Sequence, residues 1–216
     1  MTGTLPRLGD TRLGSDEDGG MATFDDPVLE AMATRRSLAK VGPGAPTDDE
    51  LRELLAAVTP VADHKALRPW RLLALRGDDR ARLGDALDTA AGTTREPGER
   101  NTKPFRADLL IAVVASPKAH PAVPVWEQHA TAAGAAHLLE LALWRAGWGV
   151  MWRTGLAVNS PEVRALHGLA DHELLMGWLY VGSVDADLRA RIDEAPRKRL
   201  DPEPFLGALP ADAGPV

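Results

Sequence analysis

The chain contains no cysteine. Disulfides, thiolate nucleophiles, iron–sulfur ligation and cysteine-bound structural zinc are therefore excluded, and any redox chemistry must belong to a bound cofactor. Long apolar runs are missing as well, since none approaches the ~20 residues that a membrane-spanning helix needs. The first twenty residues carry Asp10, Asp16, Glu17 and Asp18 and lack the apolar stretch of a secretory signal. A soluble, cytoplasmic protein is expected, with no membrane partner. Basic charge is scarce: 25 Lys and Arg stand against 31 Asp and Glu, a net charge of −6. A general nucleic-acid surface needs a basic stripe to neutralise phosphates, so none is expected. Gly-rich phosphate loops, Gly-x-Ser-x-Gly elbows and His-Glu-x-x-His helices are also absent, which removes the usual signatures of nucleotide hydrolysis, serine hydrolysis and zinc proteolysis.

What remains is an ordinary globular composition, with 44% apolar and 26% charged residues over 216 positions. That length suits one domain burying roughly 70% of the surface its unfolded chain exposes. Residues 1–22 are rich in glycine and acids and read as a disordered extension. Residues 23–183 carry the fold, and 184–216 form a proline-rich tail without apolar periodicity, expected to wrap a partner subunit. Asp25 or Asp26 and then Pro27 open a helix running to Arg35-Arg36. Thr47 with Glu50 forms a capping box for a second helix, stopped before Pro60. A strand is expected over 71–76 and a helix over 80–91, followed by a polar stretch at 92–104 that reads as a flap. Leu109 to Ala115 is an unbroken apolar run of strand length, which suggests a central strand covered on both faces. Val125 to Gly147 reads as a long buried helix, Ser160-Pro161 opens a short one, and Leu174 to Val181 is a last strand. No internal repeat is present, and helices outnumber strands without strict βαβ alternation, so the fold class is α+β.

Three separated segments stand out chemically. Arg35-Arg36-Ser37 offers two guanidinium forks and a hydroxyl, groups suited to a phosphate or to flavin oxygens. The same pair in the last turn of a helix also compensates the helix dipole, and residue type alone does not separate the two readings. His64, between Asp63 and Lys65 and ahead of Pro69-Trp70, is on its own a solvated loop histidine. Trp152-Arg153-Thr154-Gly155 follows the tight Gly147-Trp148-Gly149 turn, and a glycine there lets backbone approach a flat ligand. His137 and Glu140 meet on one helical face, where a buried hydrogen bond is the simpler reading than a metal.

Taken in order, Arg-Arg-Ser, Asp-His-x-x-x-x-Pro-Trp and Trp-Arg-Thr-Gly resemble the FMN-binding elements of the nitroreductase family, most of all its short bacterial members. The resemblance covers residues 25 to about 182, and extends to Arg106 after Pro104-Phe105 and to Trp126-Glu127-Gln128. It implies a mixed or antiparallel central sheet flanked by helices, in a domain-exchanged homodimer with FMN at the subunit interface. By the same resemblance, Arg35, Arg36, Ser37, Trp152, Arg153 and Thr154 bind FMN, and His64 reaches the FMN held mainly by the other subunit. Thr154 replaces the family's usual serine and keeps its hydroxyl. Pro60 stands where close relatives often have an FMN-binding arginine, a loss for which Lys65 or Arg68 are the nearby substitutes. The implied reaction is ping-pong: NAD(P)H reduces FMN, and a nitroaromatic, quinone or similar electron-poor acceptor then takes the electrons. The chemistry belongs to the flavin, so no catalytic side chain or metal is expected. The alternatives are a non-catalytic flavin carrier or sensor, and a flavin-dependent dehydrogenase or dehalogenase of the same superfamily.

Overall fold

In the computed structural model, which describes residues 26–194 and 200–209, four strands form one antiparallel sheet: Trp70–Leu75 (β1), Leu109–Ala115 (β2), Gly149–Arg153 (β3) and Leu174–Gly182 (β4). Their spatial order is β1-β2-β4-β3. All seven residues of β2 are buried, because it lies between β1 and β4 with helices on both faces. Alternation along the strand divides the core. Leu109, Ile111 and Val113 face one cluster, while Leu110, Ala112 and Val114 face the other. Full burial of one such leucine contributes about 1.5–3 kcal/mol relative to exposure.

Asp48–Val58 (α2, after α1 below) and Val125–Arg145 (α4) contribute to the first cluster, with Ala135, Ala136, Leu139 and Leu143 of α4 fully enclosed. Asp78–Ala90 (α3) and Pro161–Leu166 (α5) supply Leu83 and Val163 to the second. The capping box forms as expected: Thr47 accepts from the Glu50 amide at 3.2 Å, and Glu50 accepts from the Thr47 amide at 2.7 Å. Ser160 caps α5 through the Val163 amide. The α+β class and the central position of β2 agree with the sequence reading.

Two compact units are distinguished among the described residues: Arg35–Arg189, and those up to Thr34 together with those from Ala190 on. In the second, Pro27–Thr34 (α1) is capped by Asp26, whose Oδ1 accepts from the amides of Val28 and Leu29 at 2.8 and 3.0 Å. This helix stops at Thr34, short of the arginine pair, so Arg35 and Arg36 do not sit in a last turn against a helix dipole. Ala186–Glu194 (α6) is a helix inside the stretch expected to be an aperiodic tail. The extension 1–22 and residues 195–199 and 210–216 of the tail lie outside the described residues.

Candidate functional site

The extended segment after α1 runs along the free edge of β3. Ser37 bridges Val150 in parallel, and the Leu38 amide donates to the Val150 carbonyl at 2.8 Å. The chain then crosses the sheet, where the Gly42 amide donates to the Ser183 carbonyl at 2.7 Å. A Cβ at Gly182 would lie 2.5 Å from the Gly42 carbonyl oxygen, so only glycine allows this approach. The crossing joins two of the three sequence motifs. Arg35 Nη1 reaches Ser37 Oγ at 3.4 Å, and Arg153 Nη2 donates to the Ala39 carbonyl at 2.9 Å.

Strand β3 was not legible in the sequence, and it is what presents Trp152 and Arg153 on opposite faces. Trp152 turns toward α4, with its indole N–H donating to the Met176 carbonyl at 3.0 Å and its ring edge-on to His137 at 5.2 Å. His137 Nδ1 lies 3.1 Å from Glu140, so the hydrogen bond forms, but only Glu140 is buried and the His137 side chain is 67% exposed; no cluster of side chains that could hold a metal occurs among the described residues. Arg153 turns to the other face, 5.3 Å above the Tyr180 ring. Its Nε is buried and has no partner among the described residues.

On that face lies a cavity of about 660 Å³. Its floor is Met151, Trp178 and Tyr180, and the strand end Arg153, Thr154 and Gly155 forms one wall. A Cβ at Gly155 would meet no atom within 4 Å, so the glycine leaves open space there. The cavity is also lined by Asp88 near the end of α3 and by Arg95, Asn101, Lys103 and Arg106 from the stretch that leads to β2. A hydrogen-bond network ties that stretch down. Arg95 donates to Asp88 through Nε and Nη2, Asn101 Nδ2 donates to Asp88 at 2.8 Å, and the Lys103 amide donates to Asn101 Oδ1 at 3.0 Å. The Arg95 guanidinium holds the Asp88 carboxyl below its ordinary range. Burial pushes the Tyr180 phenol up against the weaker pull of Arg153 and Arg106, so it stays protonated at neutral pH. None of Asp88, Arg95, Asn101, Lys103 and Tyr180 belonged to the sequence motifs. The end of α3, the loop after it and strand β4 bring them together, and no periodicity announces that meeting.

His64 lies elsewhere. Its Nδ1 is 2.8 Å from Glu127 at the start of α4, in a loop that Asp63 fastens by accepting from the Leu67 and Arg68 amides at 3.2 and 2.6 Å. Lys65, Ala66 and Arg68 all take positive φ there. Residues 127 and 137 of α4 are ten apart, about 15 Å at 1.5 Å per residue, which separates the His64 contact from the Trp152 contact. Trp70 packs against the α4-side core. Within one protomer the structure thus ties the Arg35–Ser37 segment to β3, through Ser37 to Val150 and Ala39 to Arg153, and sets His64 apart.

Comparison with known proteins places the fold in a family. The nitroreductase family model matches residues 32–183. The YdjA protein of Escherichia coli (strain K12), which bears a provisional NAD(P)H nitroreductase name, is 32% identical over 183 residues, covering 83% of this chain and 97% of that protein. Among solved structures, a nitroreductase-like family protein from Bacillus cereus aligns with a TM-score of 0.68 at 22% identity, over 88% of this chain and 99% of that one. A protein from Desulfovibrio desulfuricans with a provisional nitroreductase name, solved in complex with FMN, aligns with a TM-score of 0.64 at 20% identity, over 86% and 98%. The chain belongs to the nitroreductase family.

Proposed function

We propose that this protein is an FMN-dependent oxidoreductase that takes electrons from NAD(P)H and passes them, in a ping-pong cycle, to nitroaromatics, quinones or similar electron-poor acceptors. The observation that carries this reading is the cavity beside β3, with the buried, unpartnered Nε of Arg153 at its wall. Its volume lies within the ~300–1,000 Å³ usual for small-molecule sites. A phosphorylated, flat ligand fits the donors and the open space at Gly155. FMN, when bound, supplies the two-electron chemistry.

In this reading the chain's own residues bind and orient. Arg35, Arg36 and Ser37 hold FMN from the β3 edge, while Trp152, Arg153 and Thr154 hold it from the strand end. Met151, Trp178 and the α3 wall limit water. The Asp88–Arg95–Asn101 network keeps the Lys103 side of the cavity in place before ligand arrives. Family membership and the FMN complex of the Desulfovibrio desulfuricans relative support the assignment.

The assembly proposed is a homodimer. Val125 and Trp126 at the start of α4 are 53% and 71% exposed, and a second copy covering this end of the helix, beside the His64–Glu127 contact, explains why such apolar side chains point outward. Across that contact His64 reaches the partner's FMN, which accounts for its distance from Arg153 within one protomer.

Titrating flavin-stripped protein with FMN, followed by quenching of flavin fluorescence, tests the site. Arg35→Ala and Arg153→Ala are each expected to weaken binding by about ten- to a hundredfold, the range for losing a charge-assisted hydrogen bond, with circular dichroism unchanged. Unaltered affinity in both variants contradicts the assignment.

A further inference from the structure

Residues 91–100, between α3 and β2, are all exposed. The cavity nonetheless depends on this loop, because residues 87–106 supply all of the lining that β3, the turn after it and β4 do not. A loop that buries so little surface opens locally unless specific bonds hold it down. Here they converge on one carboxylate near the end of α3. Arg95 donates to both oxygens of Asp88, through Nε and through Nη2 at 2.7 Å, and Asn101 Nδ2 donates to Asp88 Oδ1 at 2.8 Å. Among the described residues, no other side-chain hydrogen bond joins 94–101 to α3 or to the sheet.

Helix α3 is shaped to receive the loop. Asp88 and Asn101 are 9% and 4% exposed, and a Cβ at Gly84, one turn before Asp88 on the same helical face, would lie 3.1 Å from Asn101 Cβ. The glycine thus leaves a seat into which Asn101 packs. Asn101 in turn accepts from the Lys103 amide at 3.0 Å, which carries the grip on to a further cavity residue. Asp88 therefore holds the loop twice, at residues 7 and 13 positions further along the chain. Charge-assisted bonds suit this task, because they fasten a loop that has little buried apolar area of its own.

We infer that Asp88 is a positioning residue for acceptor choice: by gripping the loop at Arg95 and Asn101 it fixes the width of the cavity, admitting single-ring acceptors and holding back fused-ring ones. The inference rests on the flavin reading above and adds to it the residue that sets acceptor size. In that reading the residues holding FMN come from 35–37 and 152–154. The loop then borders what a bound flavin leaves open, which is the space an acceptor must use.

The test uses the full chain loaded with FMN and compares wild type, Asp88→Asn and Arg95→Met. One readout is the rate of trypsin cleavage after Arg100; the other is the ratio of KM for phenanthrenequinone to KM for benzoquinone at saturating nicotinamide. Cleavage follows the population of open loop, so loss of the charge-assisted bonds should speed it by about ten- to a hundredfold in both variants, with other sites cut at the wild-type rate. The KM ratio should fall severalfold in the same variants. A purely structural role would lower kcat with both quinones alike and leave that ratio in place. Unchanged cleavage in both variants overturns the grip, and faster cleavage with an unchanged KM ratio overturns its part in acceptor choice. In either case the flavin reading stands, since wild type still reduces benzoquinone. Wild type that reduces neither quinone contradicts the flavin reading, and the acceptor role falls with it. Arg95→Met leaves Asp88 paired with Asn101, so the result does not depend on how Asp88→Asn folds.

Discussion

Gly177 adopts φ +117°, and a Cβ there would sit 2.4 Å from the Arg153 carbonyl oxygen and 2.9 Å from Trp152 Nε1. The glycine lies where the β2–β4 register shifts between Val113 and Val114, leaving the Met176 carbonyl turned to the Trp152 indole. One residue therefore sets the placement of the whole Trp152-Arg153-Thr154 strand end. Gly177→Ala is expected to cost roughly 1–3 kcal/mol for the disfavoured backbone alone, read as a lower urea midpoint, and to weaken FMN binding as Arg153 is displaced. A variant that is as stable and binds FMN as well as wild type contradicts this role. The position was partly legible, since an isolated glycine in a strand pattern signals a bulge or a close approach. Which residues approach it was not, because they lie 23 to 25 positions earlier in the chain. Arg35, Ser37 and Arg153 were singled out through a family pattern. Tyr180 and Asn101 were missed because each stands alone in sequence and gains meaning only across the sheet.

Among the elements, long uniform segments were the easiest to read. The apolar run 109–115 and the alanine-rich helix from Val125 fell where expected, while β3 did not, because five residues with Trp and Arg among them show no clean alternation. β1 and the α5–β4 turn are joined by a tie that the sequence did not show. Arg71 Nε and Nη2 each donate to Glu173 at 2.7 Å, and the Ala170 amide donates to the same carboxylate at 3.0 Å. Chiefly through Arg71, these bonds lower the Glu173 pKa from 4.5 to about 2. Because the folded value is depressed, the contribution is full above about pH 4.5 and is lost as pH falls toward 2. Nearby, His167 Nε2 accepts from the Trp178 indole at 3.0 Å, while its Nδ1 lies 2.7 Å from the Val163 carbonyl. Burial lowers its pKa below 6.5, so protonation below that value also favours the unfolded chain. Urea midpoints should therefore fall in two stages, first below about pH 6.5 and again below about pH 4.5. Glu173→Gln should remove most of the second stage at the expense of stability at pH 7. An unchanged acid limb in that variant contradicts the role given to the tie.

For the molecule as a whole, the separation of His64 from Arg153 makes the assembly part of the account. If each flavin is held by Arg153 of one subunit and His64 of the other, a hybrid of His64→Ala and Arg153→Ala subunits contains one intact site and one doubly altered site. It should bind one flavin per dimer at near wild-type affinity, although either parental homodimer binds weakly. Two equally weak sites in the hybrid would place both residues in the same protomer's site. Beneath this stands the claim that the chain moves electrons from a nicotinamide through FMN. The most direct measurement is the visible spectrum of FMN-loaded protein under anaerobic conditions, on addition of NADH or NADPH and then of a nitroaromatic acceptor. The flavin bands are expected to bleach with at least one nicotinamide and return with the acceptor. Flavin that binds yet stays oxidised with both nicotinamides contradicts the oxidoreductase reading and leaves a flavin carrier or sensor in its place.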